Sequence, residues 1–166
     1  MTLEEQVVTR LIESAYHIAC AESCTGGLLC GRIVNVPNAS RVLDCSFTTY
    51  ANEAKIKYLG VSPITISEFG VVSEEVAAEM ASGVASQADC EVGVGVTGIA
   101  GPSGGTEKKP VGMVCFGFSI CGKVTTCTQY FTGMARNEVR AASVDFALST
   151  LLQLLTVPSE SSLHPM

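Results

Sequence analysis

A chain of 166 residues has room for one domain with a core of its own. Its formal net charge of −6 comes without a basic patch, which excludes a general binder of nucleic acid or of an anionic membrane surface. Hydrophobic residues make up 47% and charged residues 16%, which excludes disorder, and no apolar run reaches the roughly 20 residues of a membrane span.

The N-terminus shows no secretory pattern, so a cytoplasmic setting is expected. The eight cysteines are then expected as reduced, mostly buried thiols. Their spacing contains no CxxC pair, and only His17 and His164 could join them, so neither a metal nor another cofactor is expected.

In chain order, residues 3–15 read as an amphipathic helix on Leu3, Val7, Leu11 and Ile12. His17–Ala21 is a short apolar strand, and Thr25–Val34 reads as a helix on Leu28, Leu29 and Ile33. A turn at Pro37–Ser40 leads to a β-rich run at Cys45–Tyr50 and a helical segment at Ala51–Leu59. Gly60, Pro63 and Gly70 punctuate a connection. Ser73, followed by Glu74 and Glu75, then opens a helix to about Gln87. Glu91–Val96 is a buried strand and Thr97–Gly105 a glycine-rich loop. Gly112–Ile120 and Lys123–Thr132 form a hairpin through Cys121-Gly122. Ala135–Leu155 is a long closing helix. This order predicts a single three-layer α/β/α domain with a mixed β-sheet over residues 1–156, and a polar, fraying tail over 157–166.

The chemistry-bearing residues gather in strand-to-helix turns, where α/β folds bind ligands. Ser23 lies in Ala21-Glu22-Ser23-Cys24-Thr25-Gly26-Gly27, between a strand and a helix. It suits a helix cap as well as a nucleophile, and the two glycines open the helix end for backbone donors. A serine hydroxyl needs a base. His17 sits at the start of the strand, at the far edge from Ser23, and Glu22 reads as structural because adjacent strand residues face opposite ways. Lysine remains, because a desolvated lysine can lose its proton near neutral pH. Lys55 in Tyr50-Ala51-Asn52-Glu53-Ala54-Lys55 has this option, as does Lys57; each also reads as a solvated helix lysine. The loop Thr97-Gly98-Ile99-Ala100-Gly101-Pro102-Ser103-Gly104-Gly105 is either an anion nest or a plain turn, without the Walker ending. Arg136 and Arg140, four apart on one helix face, either bind phosphate or face solvent.

Taken together, AESCTGG (21–27), TYANEAK (49–55), LGV (59–61), GVVSEEVAAEMASG (70–83), TGIAGPSGG (97–105), KPVG (109–112) and RNEVR (136–140) resemble the CinA C-terminal domain family, whose enzymatic members are nicotinamide-nucleotide amidases of the PncC type. The resemblance runs from about residue 3 to 155 and implies deamidation of nicotinamide mononucleotide to nicotinate mononucleotide and ammonia. It implies Ser23 as nucleophile, with Tyr50 and Lys55 as its partners. Thr97, Gly98, Ala100, Gly101 and Arg136 are implied as substrate contacts for the ribose phosphate. Backbone donors near Thr25 and Gly26 would hold the oxyanion, and no metal is required. The expected partner is a small nucleotide, and the family leaves a homo-oligomer open. A non-catalytic nucleotide-binding or regulatory domain is the alternative, with Ser23 only a cap. Three departures stand out: Asn38 where Gly is usual, Ala51 where Ser is frequent, and two residues rather than one between Gly133 and Arg136.

Overall fold

The apolar periodicities of the sequence fold into alternating strands and helices, and the computed structural model describes them over residues 1–157. In chain order these are α1 (Leu3–Ser14), β1 (Ile18–Glu22), α2 (Leu28–Val34), β2 (Leu43–Thr48), α3 (Asn52–Leu59), α4 (Pro63–Phe69), α5 (Glu74–Ala88), β3 (Val92–Gly98), β4 (Met113–Ile120), β5 (Lys123–Tyr130) and α6 (Arg136–Thr156). The expected polar tail lies, beyond Val157, outside the described residues. No described helix is long and apolar enough to cross a membrane.

The sheet order is β2-β1-β3-β4-β5. β1 runs parallel to both β2 and β3, and β4 and β5 are antiparallel additions, so the sheet is mixed as expected. Alternation along the strands divides the interior into two cores. Ile18 and Cys20 of β1, Val92, Val94 and Val96 of β3, and Val114, Phe116 and Phe118 of β4 pack under α1, α2 and α6. Ala19 and Ala21 face the other way, against Val76, Met80 and Val84 of α5 and Leu59 of α3. The helices therefore form two layers around the sheet, the three-layer α/β/α arrangement predicted.

Where α5 crosses the centre of the sheet, glycines take the place of side chains. Gly93, Gly95 and Gly117 occupy the positions facing α5, and a Cβ at Gly117 would lie 2.2 Å from the Ala77 carbonyl oxygen. The VGVGV pattern of β3 is thus a docking surface: valines fill one core while glycines let the α5 backbone approach the other face.

Local signals account for most element boundaries. Thr2 and Glu5 form a reciprocal capping box at α1, and the Ser73 hydroxyl accepts the Val76 N–H to start α5. Asn38 takes the left-handed conformation (φ 70°) that a glycine would otherwise supply. Cys121 and Gly122 both have positive φ, the backbone of a tight two-residue hairpin. Two readings need correction. The segment Thr25–Gly27 is a turn with Gly26 and Gly27 at φ 60° and 100°, so α2 starts only at Leu28. The punctuated connection after Gly60 contains α4: Ser62 caps it and Pro63 opens its first turn, and its lack of any buried residue leaves no apolar stripe to read.

Strand β1 leads to β2 on one flank, and the chain then returns across β1 to β3 on the other. The carboxyl ends of β1 and β3 therefore flank a topological switch point, where a crevice opens between diverging connections. Replacing Gly117 by alanine should force α5 off the sheet and cost about 1–3 kcal/mol of unfolding free energy, read as a lower urea midpoint.

Candidate functional site

Ser23 follows β1 directly at this switch point. Its N–H donates to the Val96 carbonyl (3.1 Å), and the carbonyl of Glu22 accepts the Thr49 N–H (2.9 Å), so β2 and β3 grip the turn from both sides. The Glu22 side chain is fully buried and turns toward α2, where it accepts the amides of Leu29 (2.9 Å) and Cys30 (3.1 Å). A carboxylate thus satisfies the positive end of α2, and Gly27, at the helix boundary, makes no side-chain cap. The capping role open to Ser23 is taken by its neighbour, which leaves the serine hydroxyl free.

That hydroxyl accepts a hydrogen bond from Lys55 Nζ at 3.0 Å. Lys55 is on the second turn of α3, and its side chain reaches back past the helix N-terminus. The ammonium also donates to the Thr49 carbonyl at 2.6 Å. Lys55 is 1% exposed and joins no ion pair among the described residues. Burial without a carboxylate drives its pKa from the usual 10.5 down to about 8; the neighbouring Cys24 pulls weakly the other way. The Cys24 thiol is itself pushed up to about 11 by burial and stays protonated at neutral pH.

Ser23 and Lys55 form one wall of a cavity of about 460 Å³. The glycine loop after β3 lines the same cavity through Gly98, Ala100 and Gly101. The Ala100 and Gly101 amides have no acceptor among the described residues. Thr97 also lines it, with its hydroxyl donating to the Val71 carbonyl (3.0 Å). Arg136, at the start of α6, spans the mouth: its Nη1 donates to the Gly101 carbonyl (2.7 Å) and its Nη2 to the Tyr50 hydroxyl (3.0 Å). Among the described residues the lining contains three cations, Lys55, Lys109 and Arg136, and no aspartate or glutamate, in a chain of net charge −6. Sequence reasoning left out Lys109 and Asn52. The signal for Lys109 was the KPVG stretch just beyond the loop.

Several expectations change. The Tyr50 side chain is 63% exposed and its hydroxyl meets Arg136, whereas its backbone carbonyl is the part near Lys55 Nζ (3.5 Å). The relay between lysine and serine is therefore absent from this geometry. Thr25 and Gly26 lie outside the cavity lining. The Gly26 N–H closes the turn onto the Ser23 carbonyl (3.0 Å), which removes it as an oxyanion donor. Arg140 points away from Arg136's task and donates to the Cys24 carbonyl (2.9 Å), bracing the serine turn. His17 pairs with Asp44 (2.6 Å) before β1, at the opposite edge, and Lys57 is exposed over the Tyr58 ring.

The model of the CinA C-terminal domain matches residues 1–155. The chain belongs to this family. A CinA-like protein of Kosmotoga olearia is 47% identical over 154 residues, covering 93% of this chain and 37% of that protein. A protein of Alkaliphilus oremlandii is 50% identical over 151 residues, or 91% of this chain and 36% of its own length. The chain thus spans little more than a third of these curated relatives. Among solved structures, a CinA superfamily protein from Escherichia coli superposes with a TM-score of 0.88 at 38% identity, covering 92% of this chain and 88% of the other. The competence/damage inducible protein CihA from Agrobacterium tumefaciens gives 0.85 at 37% identity, covering 93% and 96%.

In this CinA domain the buried lysine opposes folding at neutral pH. The folded pKa (about 8) lies below the unfolded one (10.5), so below pH 8 both states hold the proton and the folded state bears the full desolvation cost. Between about pH 8 and 10.5 the unfolded chain binds more protons, so stability rises with pH. Relative to Lys55→Met, the wild type should gain about 2 kcal/mol between pH 7 and pH 10, measured by urea unfolding at each pH. A constant difference would mean that Lys55 stays charged in the fold.

Proposed function

We propose that this CinA-family chain is an amidohydrolase that converts nicotinamide mononucleotide to nicotinate mononucleotide and ammonia, with Ser23 as nucleophile and Lys55 as general base. The observation that carries this reading is the 3.0 Å contact between Ser23 Oγ and a desolvated lysine with no acidic partner among the described residues. A Ser–Lys pair performs covalent hydrolysis without a histidine, and among the described residues none stands at this edge of the sheet.

With a pKa of about 8, roughly a tenth of Lys55 is neutral at pH 7. Neutral Nζ keeps an N–H on the Thr49 carbonyl and offers its lone pair to the Ser23 hydroxyl. As Lys55 takes the proton, Ser23 Oγ bonds to the carboxamide carbon. The carbonyl oxygen becomes an oxyanion, for which we assign the amide of Cys24, a lining residue whose N–H has no backbone acceptor among the described residues. Protonated Lys55 passes its proton to the leaving nitrogen, the C–N bond breaks and ammonia departs. Lys55 then deprotonates a water, which attacks the ester carbon; the C–Oγ bond breaks and the proton returns to Ser23. The cationic lining and the free amides of the glycine loop suit the substrate's phosphate.

Wild-type protein should release ammonia from nicotinamide mononucleotide. Ser23→Ala should lower kcat by about a thousandfold or more, and equal rates in the two would sink the reading. In this geometry Tyr50→Phe removes a hydroxyl bonded to Arg136 and should cost no more than about tenfold. The wild-type kcat/KM should climb with pH to a plateau above about pH 8, and Lys55→Ala should abolish the climb. Nucleotide binding with no ammonia release would instead mark a non-catalytic nucleotide-binding domain.

A further inference from the structure

Lys109 is a cation that the fold has gone to some length to place at the cavity wall. The turn that carries it is closed reciprocally: the Thr106 N–H donates to the Lys109 carbonyl (2.7 Å), and the Lys109 N–H to the Thr106 hydroxyl (3.0 Å). The side chain then crosses to the segment after α4, where Nζ donates to the carbonyls of Phe69 and Val72. Gly70 makes room for it: a Cβ there would lie 2.6 Å from Nζ, and its φ of 82° disfavours any other residue.

Both acceptors are neutral, so the charge is not cancelled by an ion pair among the described residues. An ammonium has three donors, and two are used. Lys109 also borders a second cavity of about 660 Å³, but Glu74 and Glu75 line that one. Carboxylates there repel an anion, whereas the serine cavity contains none among the described residues. An anion bound at Lys109 therefore belongs on the Ser23 side of the wall.

We propose that Lys109 is a specificity-determining residue that binds the phosphomonoester of the substrate, its remaining N–H completing an anion site with the glycine loop and Arg136. This rests on the nucleotide reading of the Ser23 site but concerns phosphate recognition rather than the chemistry. Lys109 touches the unreactive end of the substrate, so its loss should fall on KM more than on kcat.

The test uses the full chain as wild type, Lys109→Met and Lys109→Arg, with ribose 5-phosphate as a binding probe followed by calorimetry. Ammonia release from nicotinamide mononucleotide is measured in parallel. The expected result is affinity for ribose 5-phosphate about tenfold weaker in Lys109→Met, a matching rise in KM, and partial recovery of both in Lys109→Arg. If Lys109 only braced the segment after α4, ribose 5-phosphate would bind all three proteins alike, and that outcome overturns the proposal whatever the turnover. Failure of wild-type protein to bind the probe overturns it too. Probe binding that depends on Lys109, with no ammonia released by wild type, would remove the amidase reading and leave the anion site standing.

Discussion

Lys55 is buried with no ion-pair partner among the described residues, and much of the molecule can be understood as the means of holding it there. Its ammonium lies between the Thr49 carbonyl and the Ser23 hydroxyl, at the point where β1 and β2 end together. A charge so placed costs free energy, and a folded chain with only about 5–15 kcal/mol of net stability can carry it only if its neighbours are firmly fixed. The neighbours are fixed by the sheet: Ser23 through Val96 of β3, and Thr49 through Glu22 of β1.

The same logic explains Glu22 and Arg140. A serine between a strand and a helix is drawn toward capping, and Glu22 removes that pull by occupying the first-turn amides of α2 from inside the core. Arg140 ties the carbonyl side of the turn to α6. The close seating of α5 on Gly93, Gly95 and Gly117 keeps the sheet rigid behind the site. Neither Glu22 nor Arg140 needs to touch a ligand, yet together they leave the serine hydroxyl with Lys55 as its partner.

Charge is distributed unevenly in this acidic chain. Among the described residues, three cations meet around one cavity whose lining has no carboxylate, while Glu74 and Glu75 line the adjoining one. Lys109 stands between the two. A ligand with a compact negative charge would distinguish them by electrostatics before any specific contact forms.

The sequence by itself determined the elements and their order, because apolar periodicity, caps and turn residues act over a few neighbours. Leu3 to Ile12, Ser73 with Glu74 and Glu75, and Cys121-Gly122 each declared a helix, a helix start and a hairpin. The alternation of elements gave the three layers. It also placed His17 at the far edge from Ser23, where the structure pairs it with Asp44. The α4 helix was illegible because it buries nothing, and the start of α2 because Gly26 and Gly27 leave no local mark separating a turn from a first helical turn. Only the tertiary structure decided between cap and free hydroxyl at Ser23, since that depended on where the Glu22 carboxylate went. It also decided that Lys55 rather than Lys57 is buried, that the Tyr50 hydroxyl turns to Arg136, and that Lys109 joins the site from 54 residues beyond Lys55. Desolvation and meetings between distant side chains have no signature in local spacing; they exist only once the sheet has brought the strand ends together.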